Sequence, residues 1–370
     1  MTTASIQRAK ELGARILIAT PTGQMSSRMR ELFPDVDVDT CHGAFLLHKP
    51  ETEAWPHMTE YDLVVVDEVS QLSRDQFERI VRMWHQADKV PALIFLGDFY
   101  QLPGVEPTRA NESPAWKKVY KVELVDPQRC KDKKLWKKIM ATRTARPSMT
   151  QLKDIVRNHK AWSGKEPSQL DIRNLFRRTK SKTTIVTCTR RAANKVNSLA
   201  VGFLFFNKKK LGEIPGHFDA NADNYDEDNQ LRKDRRPIPK MMKIYKGMRI
   251  FLTNNLNKKE DFVNGMEATI EDYDDQRKCL TVRTRTNKRL AVWLYTDPDP
   301  TYQRVTYFPI RYGYASTLHK VQGATLDHAT IWLDIEGMRG AGHVALSRVR
   351  RDSDYLIGGD VTPDHFTPAM

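Results

Sequence analysis

Two adjacent carboxylates directly follow an uninterrupted apolar segment. Residues 62–72 read DLVVVDEVSQL, so Asp67 and Glu68 come immediately after three valines. An apolar run without alternation is typical of a strand buried on both faces of a parallel sheet, and such sheets bind ligands beyond the carboxyl ends of their strands. Adjacent acids at that position suit phosphoryl transfer, because one can hold Mg²⁺ while the other orients or deprotonates an attacking water. Taken alone, such a pair is more often a simple turn.

Polar clusters recur after later apolar segments and bring further residue types. The clusters occur in the order Asp67-Glu68, Asp98 and Gln101 within ALIFLGDFYQLPG (92–104), His319 and Lys320 within STLHKVQGATLD (316–327), and Arg348 within HVALSRVRR (343–351). Together they supply a metal ligand, a residue that orients water, a side chain that can sense a terminal phosphate, and an arginine. ATP hydrolysis between two nucleotide-binding lobes requires these parts, because negative charge develops on the transferred phosphate.

The charge of the chain indicates a polyanionic partner. Its 370 residues carry 60 Lys and Arg against 46 Asp and Glu, a formal net charge of +14. A mixed surface with such a basic excess favours nucleic-acid binding, although a merely soluble basic protein remains the alternative. The length exceeds one comfortable core, so we expect two domains and an insertion.

The cysteines and the hydropathy pattern exclude several classes of protein. Cys41, Cys130, Cys188 and Cys279 lie far apart and form no C-x-x-C pair, which fits a reduced compartment rather than a zinc site or a disulfide framework. No apolar run approaches about 18 residues, so no membrane span is predicted. No secretory signal opens the sequence, and we expect an intracellular protein of the nucleus, mitochondrion or cytoplasm.

The first half of the sequence predicts alternating helices and strands. A helix over 4–12 ends at Gly13, a strand covers 15–19, and the central strand precedes Asp67. Behind it, Ser73-x-x-Gln76 forms a capping box for a helix with one apolar face, and 92–96 is predicted as the next buried strand. Strand, helix and strand with polar clusters at matching ends indicate an α/β nucleotide-binding layout.

The second half is less uniform. Residues 116–179 are predicted to be helical and basic, and 184–188 to begin a second sheet. Residues 207–240 combine KKK, an acidic run and RKDRRPIP, and we interpret them as a solvated surface insertion rather than a site. From 244 to 295 the pattern alternates, with a hairpin in which Thr281–Arg283 faces Ala291–Trp293, so a small β-barrel inserted in the second α/β domain is predicted.

The quoted motifs, in this order and spacing, resemble superfamily-one DNA helicases, most nearly the Pif-one (petite integration frequency) and RecD-like branch. The residues that carry the resemblance are DEVSQL, GDFYQLPG, LHKVQGATLD and VALSRVR, with ILIATPTG at 16–23, TCHGAF at 40–45 and DPQRCKDKKLW at 126–136. The resemblance implies an α/β fold of two RecA-like (P-loop NTPase type) lobes with parallel sheets. It implies a first lobe over 1–178, a second over 179–370, and an SH3-like β-barrel at 241–312.

The resemblance also implies roles for individual residues and the cofactors ATP and Mg²⁺. Asp67 would hold Mg²⁺, Glu68 would activate water and Gln101 would sense the γ-phosphate, with Asp98 and Gly323 near the nucleotide. Two arginines, Arg129 and Arg348, would stabilise developing charge. The residues expected to face single-stranded DNA are Pro21, Thr22, His42, Thr317, His319 and Lys320.

One feature of the family pattern is absent from the sequence. No G-x-x-x-x-G-K-[ST] string occurs, and the family places it before the first helix. We therefore expect the chain to begin inside that loop, with Thr2 or Thr3 as its remnant. Without the loop, the β- and γ-phosphates lack their cradle of N–H groups and their lysine. Val321 and Cys130 replace a serine and a glutamine of the family pattern, which is tolerable.

The implied activity is ATP-driven 5′ to 3′ translocation on single-stranded DNA with duplex unwinding, in DNA repair, recombination or telomere maintenance. The expected partners are single-stranded DNA and its junctions with duplex, bound by a monomer. Because the phosphate loop is absent, an ATPase-inactive DNA-binding remnant of such a helicase is the main alternative. An RNA helicase of the same superfamily fits LHKVQGATLD less well.

Overall fold

The computed structural model describes residues 2–104, 108–125, 130–226, 231–232, 236–299 and 304–370. Contacts between Cα atoms divide the chain into two compact units. Unit 1 comprises Met1–Asp126 with Ala369–Met370, and unit 2 comprises Pro127–Pro368. Within the described ranges, no helix is both long and apolar enough to cross a membrane.

Unit 1 contains a four-stranded parallel sheet. Its strands are β1 (Ile16–Thr20), β2 (Asp37–Thr40), β3 (Leu63–Val66) and β4 (Ala92–Phe95), in the order β2-β1-β3-β4. All three pairings are parallel, so the four carboxyl ends lie at one edge of the sheet. Every residue of β1 and β3 is buried, as the unalternated apolar runs predict.

Strand β4 differs from the prediction of a second fully buried strand. Ala92 is exposed and Leu93–Phe95 are half-buried. The reason is topological: β4 is an end strand of the sheet, so one of its sides lacks a neighbouring strand in the described part of unit 1. An apolar sequence predicts that both faces of a strand are packed, but it does not predict whether both edges of the strand are hydrogen-bonded to neighbouring strands.

Helices cover the sheet of unit 1. They are α1 (Thr2–Glu11), α2 (Gly23–Leu32), α3 (Cys41–Ala44), α4 (Glu51–Ala54) and α5 (Arg74–Gln86). The predicted capping box at the start of α5 is confirmed, with Ser73 and Gln76 bonding reciprocally. Phe77, Ile80 and Met83 bury the apolar face of α5 in the core beneath the sheet. Ile6 of α1 packs with β1 and β3 residues on the opposite face.

Unit 2 is built on a five-stranded parallel sheet and a five-stranded antiparallel sheet. Its helices are α6 (Lys133–Ala141), α7 (Met149–Val156), α8 (Gln169–Arg178), α9 (Arg190–Leu204), α10 (Leu318–Val321) and α11 (Ala341–Leu346). Its strands are β5 (Lys160–Trp162), β6 (Thr184–Thr187), β7 (Gly212–Pro215), β8 (Met241–Ile244), β9 (Arg249–Leu252), β10 (Glu267–Asp274), β11 (Cys279–Thr284), β12 (Arg289–Trp293), β13 (Tyr295–Thr296), β14 (Thr306–Tyr307), β15 (Ile310–Tyr312), β16 (Ala315–Thr317), β17 (Ala329–Trp332) and β18 (Tyr355–Gly358).

The parallel sheet, in the order β16-β6-β17-β18-β5, shows where the second unit begins. Strand β5 pairs with β18, and Lys138 of α6 donates to Asp352 at 2.7 Å within unit 2. Residues 130–178 therefore belong with unit 2, whereas the sequence predicted a first lobe ending at 178. The difference arises because β5 and α6 contact residues that lie about two hundred positions later in the chain, which no local sequence pattern predicts.

The antiparallel sheet, in the order β12-β11-β10-β9-β15, corresponds to the predicted insertion. The predicted hairpin is confirmed, and Asn287 takes a left-handed turn conformation. Its register differs from the prediction, because Thr281 pairs with Ala291 but Val282 and Arg283 pair with Leu290 and Arg289. Strand β10 carries a register shift between Ile270 and Asp272. The two sheets share one hydrophobic core, which includes Ile185 of β6 and Val282 of β11.

The described part of 207–240 is packed, which corrects the interpretation of this segment as solvated. It contains β7, which pairs with β8, and two 3₁₀ turns at Phe218–Ala220 and Ala222–Asn224. Phe218 and Tyr225 are each 3% exposed and Asp219 is 8% exposed. Charge-rich composition suggested solvent, but a few aromatic side chains are enough to anchor such a segment.

Candidate functional site

Asp67 and Glu68 lie in the turn after β3, at the carboxyl edge of the unit 1 sheet. The Asp67 amide donates to the carbonyl oxygen of Ala19 at 2.9 Å, and Asp67 Oδ1 accepts from the Glu68 amide at 3.1 Å. Burial raises the pKa of the Asp67 carboxyl. Glu68 adopts φ 52° and ψ 43°, a left-handed conformation that is unfavourable for a residue with a side chain. Such backbone strain is concentrated at functional sites.

The loop after β4 is locked against this turn by two glycines. The Val69 amide donates to the Leu96 carbonyl at 2.8 Å. A Cβ at Gly97 would lie 3.0 Å from the Ser70 amide nitrogen, and a Cβ at Gly104 only 2.6 Å from the Gln71 carbonyl oxygen. The close backbone approach explains why GDFYQLPG begins and ends in glycine, and it holds the polar residues of that loop beside the Asp67-Glu68 turn.

Asp98 and Gln101 are the polar side chains that this loop provides. Asp98 Oδ1 accepts from the Tyr100 amide at 3.0 Å, and the Asp98 carbonyl accepts from the Gln101 amide at 3.1 Å. Gln101 Oε1 is buried and has no hydrogen-bond partner among the residues that the structure describes. A buried amide oxygen without a donor is costly, so this atom is suited to accept from a bound water or ligand.

The turns after β1 and β2 bring the predicted DNA-facing residues of unit 1 to the same edge. Thr22 is exposed and caps α2, its Oγ accepting from the Met25 amide at 3.4 Å, while Pro21 is half-buried. His42 is exposed on α3, which Thr40 caps through the Gly43 amide at 3.2 Å. Parallel strands thus place Pro21, Thr22 and His42 on the edge that also carries Asp67.

The residues present fit a magnesium ion in part. Among described residues, no group of three or more His, Cys, Asp or Glu side chains is arranged to hold a metal. Mg²⁺ does not require one, since it is commonly held by one or two carboxylates together with substrate phosphates. Asp67 supplies such a carboxylate, whose burial cost a divalent cation would offset. Thr2 and Thr3 lie in the first turn of α1, and Thr3 is exposed.

In unit 2, the predicted DNA-facing residues lie where β16 meets α10. Thr317 ends β16 and is only 5% exposed, whereas His319 is exposed on α10. The Lys320 side chain is 23% exposed, and its Nζ lies 3.6 Å from Asp219 Oδ2. The sequence did not predict that Lys320 has an internal carboxylate partner.

Arg348 is enclosed within unit 2. It is 1% exposed, and its guanidinium donates to the carbonyl oxygens of Val344 at 2.9 Å, Ala324 at 3.3 Å and Val321 at 3.4 Å. The bonds to Val321 and Ala324 lie on either side of Gly323, which has φ 76°. In this structure the arginine thus fixes the turn of the LHKVQGATLD segment. Arg129, the second predicted arginine, lies outside the described residues.

Sequence reasoning missed several charged residues that surround Lys320. Asp219 lies in the segment interpreted as solvated, and Arg311 is a buried residue of β15 that belongs to no recognised motif. Arg190 is the first residue of α9. The signal that could have identified it is the basic pair Arg190-Arg191 directly after the apolar segment 184–188. Asp334 accepts from the amides of Cys188 and Thr189, at 2.7 and 3.2 Å, and so fixes the start of α9.

Comparison with known proteins finds helicases. A family model described as an AAA domain matches residues 1–107. The ATP-dependent DNA helicase PIF1 of Danio rerio is 27% identical over 155 residues, covering 39% of this chain and 24% of that protein. The ATP-dependent DNA helicase Pif1 of Bdellovibrio bacteriovorus is 30% identical over 165 residues, covering 41% of this chain and 36% of that protein. The matches thus span about a quarter to a third of these relatives.

Solved Pif1 structures share the fold over nearly the whole chain. A structure of two coordinating Pif1 helicases at forked double-stranded DNA has a TM-score of 0.69 and 18% identity, covering 95% of this chain and 84% of that chain. Bacteroides Pif1 with ADP-AlF3 and single-stranded DNA has a TM-score of 0.66 and 17% identity, covering 98% and 93%. Candida albicans Pif1 has a TM-score of 0.65 and 15% identity, covering 99% and 95%. The predicted α/β fold with RecA-like lobes and the resemblance to Pif1-like superfamily 1 helicases are confirmed.

Proposed function

We propose that this Pif1-like chain is the core of an ATP-dependent DNA helicase that moves 5′ to 3′ along single-stranded DNA and unwinds duplexes. The main support for the proposal is the arrangement of polar side chains at the carboxyl edge of the unit 1 sheet. There the Asp67-Glu68 turn and the Gln101 loop are locked together through Gly97 and Gly104. The relatives named as ATP-dependent DNA helicases support the proposal, as do Pif1 structures determined with single-stranded DNA.

Each residue at this edge has a proposed task. Asp67 would hold Mg²⁺ beside the ATP phosphates, since its buried carboxyl gains most from a nearby cation. Glu68 would orient or deprotonate the attacking water. Gln101 would accept from that water through its buried Oε1, or donate to the terminal phosphate through its amide nitrogen. The metal, when bound, would neutralise charge on the phosphates. The roles of Arg348 and Arg129 in stabilising developing charge stay predictions.

The proposed nucleic-acid ligand is single-stranded DNA and its junctions with duplex, with repair, recombination or telomere maintenance as the processes served. The exposed Thr22 and His42 of unit 1 and the exposed His319 of unit 2 are its proposed contacts. The net charge of +14 supports such a partner, because phosphate contacts release counterions and attract basic proteins.

A second candidate function is single-stranded DNA binding without ATP hydrolysis. The sequence contains no G-x-x-x-x-G-K-[ST] string, and hydrolysis without a phosphate cradle would be slower by more than the ~10²–10³ in rate that one missing electrostatic donor costs. On this reading Asp67 and Glu68 keep their geometry, but no triphosphate is held where they could act on it.

ATP hydrolysis measured on the 370-residue chain separates the two functions. With a poly-deoxythymidine oligonucleotide present, we expect weak DNA-stimulated hydrolysis that Glu68→Gln abolishes without changing DNA affinity. Asp35→Ala, an exposed residue between α2 and β2, serves as the control and should leave hydrolysis unchanged. DNA binding without any measurable hydrolysis would establish the second function. Hydrolysis that survives Glu68→Gln would show that the reacting groups are assigned wrongly.

A further inference from the structure

A buried carboxylate lies at the centre of a cationic cluster in unit 2. Asp219 belongs to the 3₁₀ turn Phe218–Ala220, and three contacts fix it in place. Its amide donates to His217 Nδ1 at 2.9 Å, its carbonyl accepts from Asn194 Nδ2 at 3.0 Å, and its Oδ1 accepts from the Tyr225 hydroxyl at 2.6 Å. The carboxylate therefore has a defined position, although the segment that carries it is rich in charge.

Three basic side chains belong to this cluster, and two of them, Lys320 and Arg311, act directly on the charge of the Asp219 carboxylate. Lys320 Nζ lies 3.6 Å from Asp219 Oδ2, which is longer than a good charge-assisted hydrogen bond. Arg311 is 6% exposed and stacks over the Phe251 ring at 5.2 Å. Arg190 lies over the Tyr225 ring at 5.7 Å. One negative charge thus shares the cluster with three groups that are ordinarily positive, so the cluster keeps an excess of positive charge.

The pKa shifts of Asp219 and Lys320 are consistent with this excess of positive charge. Burial alone would raise the pKa of the Asp219 carboxyl, but Lys320 and Arg311 outweigh it and hold that pKa well below its usual range. Burial, followed by the charge of Arg311, lowers the pKa of Lys320 to about 7 even though Asp219 opposes the change. A second anion beside Lys320 and Arg311 would relieve their mutual repulsion.

The guanidinium of Arg311 points to the chemistry of that anion. Its Nε and Nη2 are buried, and neither has a hydrogen-bond partner in the described part of the chain. These two nitrogens form one edge of the guanidinium, and two parallel N–H bonds from such an edge match the oxygens of a phosphate or carboxylate. Buried donors of this kind are normally satisfied.

Neighbouring elements hold the three cations at fixed places. Asn197 of α9 accepts from the amides of Tyr314 and Ala315 at 2.9 and 2.8 Å, which ties α9 to the chain just after β15. The Asp334 carboxylate fixes Thr189, the N-cap of the fifteen-residue helix α9, whose first residue is Arg190. The cluster is therefore anchored to rigid elements, and the Phe218–Ala220 turn supplies its one carboxylate.

We propose that Arg190, Arg311 and Lys320 form a binding site for a backbone phosphate of single-stranded nucleic acid, and that Asp219 occupies it as an internal counter-ion until the phosphate binds. This inference rests on the proposed nucleic-acid-binding function and adds a site and its competitor to it. Lys320, which is partly exposed, meets the phosphate first. The buried edge of Arg311 follows only when the Phe218–Ala220 turn moves aside, so Asp219 weakens binding in the resting protein.

The test compares Asp219→Asn with Asp223→Asn, an exposed acid in the adjacent turn. Both variants add one unit of positive charge, so general electrostatic attraction is matched between them. Affinity for a labelled oligodeoxythymidine is measured across a range of NaCl concentrations. Asp219→Asn should bind several-fold more tightly at low salt, with a log–log salt slope steeper by about 0.7, the value for one further phosphate neutralised on a single strand. Asp223→Asn should keep the slope of the wild-type chain.

Two further variants test the same site by other changes, and Tyr225→Phe does so without Asp219→Asn, in case that variant folds poorly. Tyr225→Phe removes the hydroxyl that fixes the carboxylate and should shift affinity in the same direction by a smaller factor. Arg311→Lys in the Asp219→Asn chain keeps the charge but removes the two-pronged edge, so the gain should disappear. Thermal melting of each variant confirms that it is folded.

The outcomes are separable. An unchanged slope in Asp219→Asn together with an unchanged affinity in Tyr225→Phe would show that Asp219 is a structural counter-ion only and would overturn the proposal. Stabilisation of Asp219→Asn by inorganic phosphate, without any gain for the oligonucleotide, would also overturn it and would assign the site to a free anion. Failure of the proposed function is a different result, since the wild-type chain would then not bind single-stranded DNA at all.

Discussion

Both units place loops at the carboxyl edge of a parallel sheet, but they use the side chains there in opposite ways. In unit 1, Glu68 and Gln101 stand on strained or tightly packed backbone, and Thr22 and His42 are exposed. In unit 2, the arginine and lysine of the recognised motifs are engaged within the unit itself. Arg348 donates to three carbonyl oxygens. The same architecture therefore leaves Thr22 and His42 exposed in unit 1, whereas the two cationic motif residues of unit 2, Arg348 and Lys320, are engaged by groups of that unit.

Side-chain chemistry explains the difference. A carboxylate can only accept hydrogen bonds, and at the end of β3 the Asp67 carboxylate accepts from the Glu68 amide. An arginine has five donors on a long flexible side chain and can reach several turn carbonyls at once. A cationic motif residue can thus stabilise the loop that carries it, and its availability to a ligand depends on whether those internal contacts can be exchanged.

The largest expected effect concerns the enclosed arginine. Arg348→Ala should lower the free energy of unfolding of unit 2 by about 3 kcal/mol, because buried carbonyl oxygens lose their donor. Arg350→Ala, an exposed residue two positions later, is the matched control and should change it little. Urea unfolding followed by circular dichroism measures both. Equal midpoints for the two variants would mean that Arg348 is not part of the internal structure of its unit.

The next effect concerns the locked loops of unit 1. Gly104→Ala places a Cβ 2.6 Å from the Gln71 carbonyl, so the loop must shift at a cost of about 2 kcal/mol. ATP hydrolysis should fall as well, because Gln101 moves with the loop. Gly202→Ala is the control: its Cβ meets nothing within 4 Å on an exposed helix position, so stability should rise by roughly 0.5–1 kcal/mol. A fully active Gly104→Ala chain would argue against the lock.

A smaller effect tests the strain at Glu68. Glu68→Gly should raise the free energy of unfolding by about 1 kcal/mol, because glycine adopts φ 52° without penalty, and it should abolish ATP hydrolysis. The control is Asn158→Gly, at an exposed left-handed position with φ 65°. It should raise the free energy of unfolding by less than Glu68→Gly does, and ATP hydrolysis should be unchanged. Thermal melting and ATPase assays check both. A destabilised Glu68→Gly chain would show that the side chain is structural.

The smallest effect is a proton taken up on DNA binding in unit 2. The Lys320 pKa of about 7 reflects burial and the charges of Arg311, Asp219 and Arg190. A bound phosphate raises this pKa, so binding at pH 7.5 should take up a fraction of a proton. Lys320→Arg, which stays charged, should take up none. Calorimetry in buffers of different ionisation enthalpy measures the difference. Equal uptake by both chains would exclude Lys320 as the titrating group.

The same residue links stability to pH. Its pKa in the folded chain lies below the ordinary lysine value of 10.5, so the unfolded chain binds more protons between pH 7 and about 10. Lys320 therefore contributes less stability at the acidic end of this window and more as the pH rises through it. Lys320→Gln should remove that part of the slope, which thermal melting at several pH values can detect.

The sequence by itself determined the features that depend on neighbouring residues. Unalternated valines gave the buried strand β3, Ser73 and Gln76 gave the capped start of α5, and alternation gave the β11–β12 hairpin. The order of strand-end motifs also placed Asp67 and Gln101 at one edge, because parallel strands share the direction of their ends. These features follow from local periodicity and backbone chemistry, which depend only on residues that are close together in the sequence.

Only the tertiary structure decided which groups are available. The pairing of Lys320 with Asp219 joins residues about a hundred positions apart, and the pairing of β5 with β18 places 160–162 in unit 2 rather than unit 1. The half-exposed edge of β4 and the enclosure of Arg348 depend on neighbours that no sequence window contains. Burial and charge pairing are set by contacts between distant segments, so residue type alone predicts a side chain's chemistry but not its freedom to act.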